Sequence, residues 1–296
     1  MTDNHLILGT AQLGMPYGVA NVTGKPDAEL ALRIVETAWK NGVREFDTAQ
    51  AYGDSEVVLG KALAALGVSG EARVITKLDA AVDHGDANAV RKSALESLRK
   101  LGVPRLYGLM VHSEDHLGAL KAELGSTLRS LVADGVVEHA GISLYSPPKA
   151  LEALSLDVVD MIQVPANVLD RRMRDAGVFA SANESGKRVY LRSVFLQGML
   201  LMNDGELPAR VGFARDVLKT FRSIANDYDV SPMRVALGYV RTTCVGARVV
   251  FGAERPEQVQ ENCRSWEEGV SRPLLARLEN AFANVDGRIV DPRCWG

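Results

Sequence analysis

Four polar side chains have the types and positions to carry a reaction together. Asp47, Lys77 and His112 each end a short apolar run: Glu45-Phe46-Asp47, Val74-Ile75-Thr76-Lys77 and Leu109-Met110-Val111-His112. Tyr52 follows the first of these by five residues, next to Gly53. Such a set suits protonation of the alkoxide formed when a carbonyl accepts a hydride. A tyrosine hydroxyl can donate that proton, but an ordinary pKa of ~10 makes it a reluctant acid at neutral pH. A nearby ammonium favours tyrosinate and lowers that pKa. A buried carboxylate holds the lysine charged and in place, and an imidazole can orient the carbonyl oxygen. Singly, each residue has a plainer reading. Asp47 can cap a turn, Lys77 can be a surface charge, and Tyr52 can be a turn aromatic. His112, before Ser113-Glu114-Asp115, can open the next helix. The joint occurrence points to chemistry.

That reading requires the three runs to be neighbouring strands. Eight candidate strands are visible: Leu6–Thr10, Arg44–Thr48, Arg73–Lys77, Leu106–His112, Glu138–Ser143, Val159–Val164, Val189–Val194 and Val249–Gly252. Most are short and apolar, as strands buried on both faces should be. Helical patterns alternate with them over Asp27–Asn41, Asp54–Leu66, Asp86–Leu101, Leu117–Ala133, Pro147–Ala153, Arg171–Ser185, Ser231–Thr242 and Pro256–Trp266. Repeated strand–helix units predict a parallel sheet with right-handed crossovers. At this length the sheet closes as a (β/α)₈ TIM barrel, in one domain over residues 1–296. An open doubly wound sheet is the competing fold, but no Gly-x-Gly-x-x-Gly follows a strand and opens a helix. Met199–Arg215 reads as a loop over the barrel mouth, and Pro273–Ala283 as an extra C-terminal helix.

Composition narrows the function classes. The net charge is −3 and both signs are mixed along the chain, which argues against a nucleic-acid partner. No apolar run is long enough to span a bilayer. The start Met1-Thr2-Asp3-Asn4-His5 lacks a signal-peptide pattern, so a cytoplasmic location is expected. Cys244, Cys263 and Cys294 are far apart, which argues against disulfides and metal sites. Oligomeric state is not legible.

The stretch Phe46-Asp47-Thr48-Ala49-Gln50-Ala51-Tyr52-Gly53 resembles the signature of the aldo-keto reductases, as do Ile75-Thr76-Lys77 and Val111-His112-Ser113. The resemblance continues through Gly141-Ile142-Ser143, Gln163, Ser193 with Leu196-Gln197-Gly198, and Gly252 to Asn262. It implies a (β/α)₈ barrel that uses NADPH, less often NADH, and no metal. It also implies that Tyr52 is the general acid and base, tuned by Lys77 and Asp47, with His112 orienting a small carbonyl or alcohol substrate. For the cofactor it implies Gly9, Thr10 and Asp47 near the mouth, Ser143 and Gln163 at the nicotinamide carboxamide, and Ser193 to Gly198 around the pyrophosphate. Gly252, Arg255, Gln258, Glu261 and Asn262 would belong to the adenosine-phosphate segment, with Gln258 and Asn262 reading the adenine. Physically this last segment is a strand end entering a helix N-terminus, which favours an anion. Arg255 suits a 2′-phosphate.

Two positions depart from the family pattern. Leu144 stands where an Asn is usual, and Arg192 where many members stack an aromatic on the nicotinamide. Tyr17, Tyr145, Phe195 and Trp295 are candidate pocket walls, and Arg171 and Arg172 candidate contacts for an anionic substrate. Sugars or small polar carbonyls are the expected substrates. A cofactor-binding partner subunit with little turnover, or a barrel isomerase or lyase without nicotinamide, are the competing functions.

Overall fold

A computed structural model describes residues 5–295; Met1 to Asn4, which carried most of the leader expectation, lie outside them. Eight parallel strands close into a barrel in chain order: β1 (Leu6–Gly9), β2 (Glu45–Asp47), β3 (Arg73–Leu78), β4 (Leu106–Val111), β5 (Val137–Ser143), β6 (Met161–Pro165), β7 (Arg188–Arg192) and β8 (Arg248–Gly252). Alternation along the strands separates two cores. Ile7, Ile75, Met110, Met161 and Tyr190 fill the barrel interior. Leu6, Leu8, Phe46, Val74, Leu109, Ile142 and Val249 point outward beneath the helices. The expected strands are all present, with ends displaced by up to two residues. β7 stops at Arg192 because Ser193 enters the left-handed region, with φ 61°, and cannot extend a strand.

Helix starts follow local chemistry. Asp27 accepts a hydrogen bond from the Leu30 N–H at 2.8 Å at the head of helix Ala28–Lys40. Pro232 and Pro256 occupy first-turn positions, where no N–H is needed. Three expectations need correction. Leu117–Ala133 is not one helix: the chain leaves helical geometry at Ala122 (φ −122°, ψ −136°), and only Glu123–Ala133 is α-helical. Arg171–Ser185 divides into Arg172–Asp175 and Val178–Glu184 at Gly177, whose φ is 77°. Helix Arg215–Asp227 was not anticipated, although Leu218, Phe221, Ile224 and Ala225 form its buried stripe.

The extra C-terminal helix is Arg272–Ala281. Beyond it, Gly287–Val290 and the turn Pro292–Cys294 bring Arg293 over the carboxyl rim of the barrel. Among the described residues, no helix is long and apolar enough to cross a membrane.

Candidate active site

β2 and β3 place the central ion pair. Asp47 and Lys77 are both buried. The Lys77 ammonium donates to both Asp47 carboxylate oxygens, at 2.8 and 2.7 Å, and to the Thr48 carbonyl at 3.0 Å. The Gln163 side-chain amide donates to the same carboxylate at 2.8 Å, across the barrel from β6. Tyr52 lies in front of this group, with the Lys77 Nζ 5.1 Å from its ring centre. His112, one residue past β4, meets the Tyr52 ring edge-on, with centroids 5.7 Å apart. The four residues singled out by type therefore converge.

Their electrostatics differ from the sequence expectation. Burial pushes the Tyr52 hydroxyl well above its ordinary pKa, and the Asp47 carboxylate pushes it further, while Arg192 opposes both. Lys77, whose charge is answered by Asp47 at hydrogen-bond distance, does not offset this rise. Burial also lowers the Lys77 pKa, against the pull of Asp47. His112 is held down to about 4, by burial first and then by Lys77, with Asp47 opposing. At neutral pH the cleft thus presents a protonated phenol beside a neutral imidazole.

The loop carrying Tyr52 rests on contacts that residue typing missed. A Cβ on Gly14 would lie 1.9 Å from the Tyr52 carbonyl oxygen, so only glycine permits this approach. Gly53, with φ 58°, turns the loop back against Gly14. The buried Ser55 hydroxyl meets those of Thr10 at 2.8 Å and Thr48 at 3.0 Å. The Gly14 and Gly53 spacing was visible in the sequence, but the contact between them is tertiary.

Tyr52 and His112 open onto a cleft of about 900 Å³ at the carboxyl end of the barrel. Of the residues expected around a cofactor, Gly9, Thr10, Asp47, Ser143, Gln163, Ser193, Gln197, Gly198, Gly252, Arg255, Gln258 and Asn262 line it. Leu196 is buried behind it and Glu261 faces solvent. Lys77 stands behind Asp47 rather than on the wall. The Thr10 hydroxyl is occupied by the Asp47 carbonyl at 3.0 Å and by Ser55. Ser193, Leu196 and Gln197 all have positive φ, a concentration of non-glycine strain that clusters at ligand-binding segments. At the far end, helix Pro256–Glu268 points its first turn at the cleft. Exposed Arg255 precedes it, and the Asn262 side-chain carbonyl is buried without a hydrogen-bond donor. That orphaned acceptor fits a ligand carrying an amino group, as an adenine does.

Among the candidate pocket walls, Tyr17, Tyr145 and Phe195 line the cleft. Trp295 does not; it is buried and donates to the Arg288 carbonyl at 2.9 Å. Arg171 and Arg172 are also elsewhere. Arg171 donates to the carbonyls of Leu278 and Glu279, and Arg172 pairs with Asp170 at 2.8 Å. Arg293, from the C-terminal turn, does reach the cleft and was not foreseen. Burial pushes the Cys244 and Cys263 thiols up to about 11, which disfavours the reactive thiolate, and the described residues hold no metal-binding cluster.

Comparison with known proteins agrees with this architecture. A sequence model of the Aldo/keto reductase family matches residues 5–281. The chain is 25% identical to a D-threo-aldose 1-dehydrogenase of a Pseudomonas species, over 92% of this chain and 95% of that one. It is 24% identical to the NADH-specific methylglyoxal reductase of Escherichia coli, over 88% and 89%. Among solved structures, the holo form of an aldo-keto reductase from Bacillus halodurans superposes with a TM-score of 0.77 at 23% identity, covering 97% of this chain and 95% of that one. A glycerol dehydrogenase from Gluconobacter oxydans gives 0.75 at 23% identity, over 96% and 94%. The chain belongs to the aldo-keto reductase family, NAD(P)H-dependent oxidoreductases that act on carbonyls or alcohols.

Proposed function

We propose that this protein reduces a small polar aldehyde or ketone with NADPH, or runs the reverse oxidation, with Tyr52 as general acid and base. The observation that carries this reading is the Tyr52 phenol, set edge-on to His112 at 5.7 Å and backed by the Lys77–Asp47 pair, at the mouth of one continuous cleft. When bound, the nicotinamide cofactor supplies the hydride. Ser143 and Gln163 would hold its carboxamide, the 193–198 segment its pyrophosphate, and Asn262 its adenine. Arg255 supports NADPH over NADH, because a guanidinium at a helix N-terminus suits a 2′-phosphate.

The protein's own groups then divide the work. His112, neutral across the physiological range, donates a hydrogen bond that aims the carbonyl oxygen at Tyr52. Tyr52 gives up its proton as negative charge develops on that oxygen. A phenol with a raised pKa can still do this, because an alkoxide is the stronger base. Lys77, fixed by Asp47, then lies near the resulting phenolate and stabilises it. The fit extends to sugars: the relatives include a D-threo-aldose 1-dehydrogenase. A cytoplasmic setting accords with the thiols and with the absence of an apolar spanning helix among the described residues.

Tyr52→Phe tests the assignment. NADPH oxidation with a panel of polar aldehydes should fall by roughly a thousandfold, the range for loss of a general acid. The rise in melting temperature on adding NADPH should persist. Retained turnover in the variant would remove Tyr52 from the role.

A further inference from the structure

Arg192 is the unusual feature of the mouth. It ends β7 and lines the same cleft as Tyr52 and His112. Its guanidinium lies 3.8 Å from the centre of the Tyr145 ring. The other arginine at the mouth, Arg293, also lies 3.8 Å from that centre. The ring itself is anchored through its backbone: Glu114 accepts hydrogen bonds from the N–H groups of Tyr145 and Ser146 at 2.8 and 2.9 Å. One fixed aromatic therefore holds two cations by cation–π contact.

The two arginines differ in what they have left to offer. Arg293 has a carboxylate partner, with paired hydrogen bonds to Asp291 at 2.9 and 2.6 Å. Arg192 donates only to neutral oxygens, the Leu144 carbonyl at 3.2 Å and, at the limit of hydrogen bonding, the Ser193 hydroxyl at 3.5 Å. Among the described residues it has no carboxylate partner. Asp47, which lines the same cleft, is already paired with Lys77. A half-buried guanidinium with unused donors, stacked on an anchored ring in the same cleft as Tyr52 and His112, has the donors that an oxyanion needs. The Leu144 carbonyl that orients it belongs to the residue standing where the family's usual Asn would be, so the two departures act on one feature.

We propose that Arg192 selects a substrate that carries a carboxylate as well as its carbonyl, an oxo acid or an aldehydic sugar acid. The inference rests on the oxidoreductase reading above and names the substrate class for it. Arg192 binds the carboxylate through its planar fork while Tyr145 keeps the fork facing the cleft. The substrate's carbonyl then falls to Tyr52 and His112.

The test compares matched substrates. Specificity, as kcat/KM, is measured for succinate semialdehyde against its methyl ester, and for glyceraldehyde 3-phosphate against glyceraldehyde, in the wild type, Arg192→Met and Arg192→Lys. The wild type should prefer the carboxylate over its ester by at least tenfold. Arg192→Met should bring that ratio near one. Arg192→Lys, which keeps the charge and loses the fork, should fall between. Discrimination confined to the phosphate pair would overturn the carboxylate assignment, as would a carboxylate ratio that survives Arg192→Met. A calorimetric titration with succinate needs no turnover. Saturable binding in the wild type, weakened at least tenfold by Arg192→Met, supports the receptor even if no carbonyl is reduced, in which case the oxidoreductase reading alone fails. Absence of succinate binding in an enzyme that turns over neutral aldehydes defeats the receptor and leaves that reading standing.

Discussion

β2 carries two buried carboxylates on one inward face, and they meet different fates at the two ends of the barrel. Glu45, at the amino end, accepts the Tyr190 hydroxyl at 3.1 Å and pairs with Arg248 at 3.0 Å and Arg73 at 3.4 Å. Three donors surround it, and it is not on the lining of the mouth cleft. Asp47, two residues on, is likewise satisfied, by Lys77 and Gln163, but its cluster borders Tyr52, His112 and Arg192, which face open space. The floor is a closed polar network, and the mouth is a closed pair supporting an incomplete one. Barrel enzymes separate stability from chemistry along this axis. Here the separation occurs within three residues of one strand.

The comparison breaks first at Lys77. Lys77→Met leaves Asp47 as a buried charge without its ammonium, which costs about 3–5 kcal/mol of stability for a broken buried pair. It also removes the ammonium that lies 5.1 Å from the Tyr52 ring centre, so turnover should fall by roughly a thousandfold. Urea titration and steady-state kinetics on the same preparation measure both losses. If the floor is purely structural, Glu45→Gln should cost about 2–3 kcal/mol, because charged hydrogen bonds to Arg248, Arg73 and Tyr190 weaken. Its kcat/KM should stay within about twofold of the wild type, since a lost structural contact enters catalysis only through geometry. A large kinetic defect in Glu45→Gln with little destabilisation would erase the division between floor and mouth.

The sequence carried much of this contrast but not its energetics. Strand runs such as Leu106–Val111 are legible because burial on both faces demands continuous apolar residues. Asp47, Lys77 and His112 are legible because a polar residue ending such a run has to face the rim. The sign of the shift at Tyr52 was not legible, since it depends on how far burial outweighs a charge already answered by its partner. Arg293 was hidden for another reason: it reaches the cleft through a C-terminal turn that no periodicity announces. The fates of Arg171 and Arg192 were equally closed to inspection. Arg192 ends a strand and Arg171 follows one, yet Arg171 turns to the carbonyls of Leu278 and Glu279 while Arg192 turns inward onto Tyr145.

The smallest expected effect separates the two ends by pH. His112 is held at about 4 in the folded protein, by burial and then Lys77, against an ordinary value of 6.5. Between those values the unfolded chain binds a proton that the folded protein refuses, so stability falls as pH drops from about 6.5 toward 4 and is flat above that window on this account. The contribution should be about 1–2 kcal/mol, reduced from the full linkage value because the ring is partly open to solvent. His112→Gln, which cannot titrate, should flatten the wild-type slope of melting temperature between pH 4.5 and 6.5 by that amount, to order of magnitude. Among the described residues the partners of Glu45 are Tyr190, Arg248 and Arg73, none a histidine, so Glu45→Gln should leave this part of the slope in place. An undiminished slope in His112→Gln would mean that the mouth does not exclude the proton, and the neutral imidazole beside Tyr52 would lose its basis.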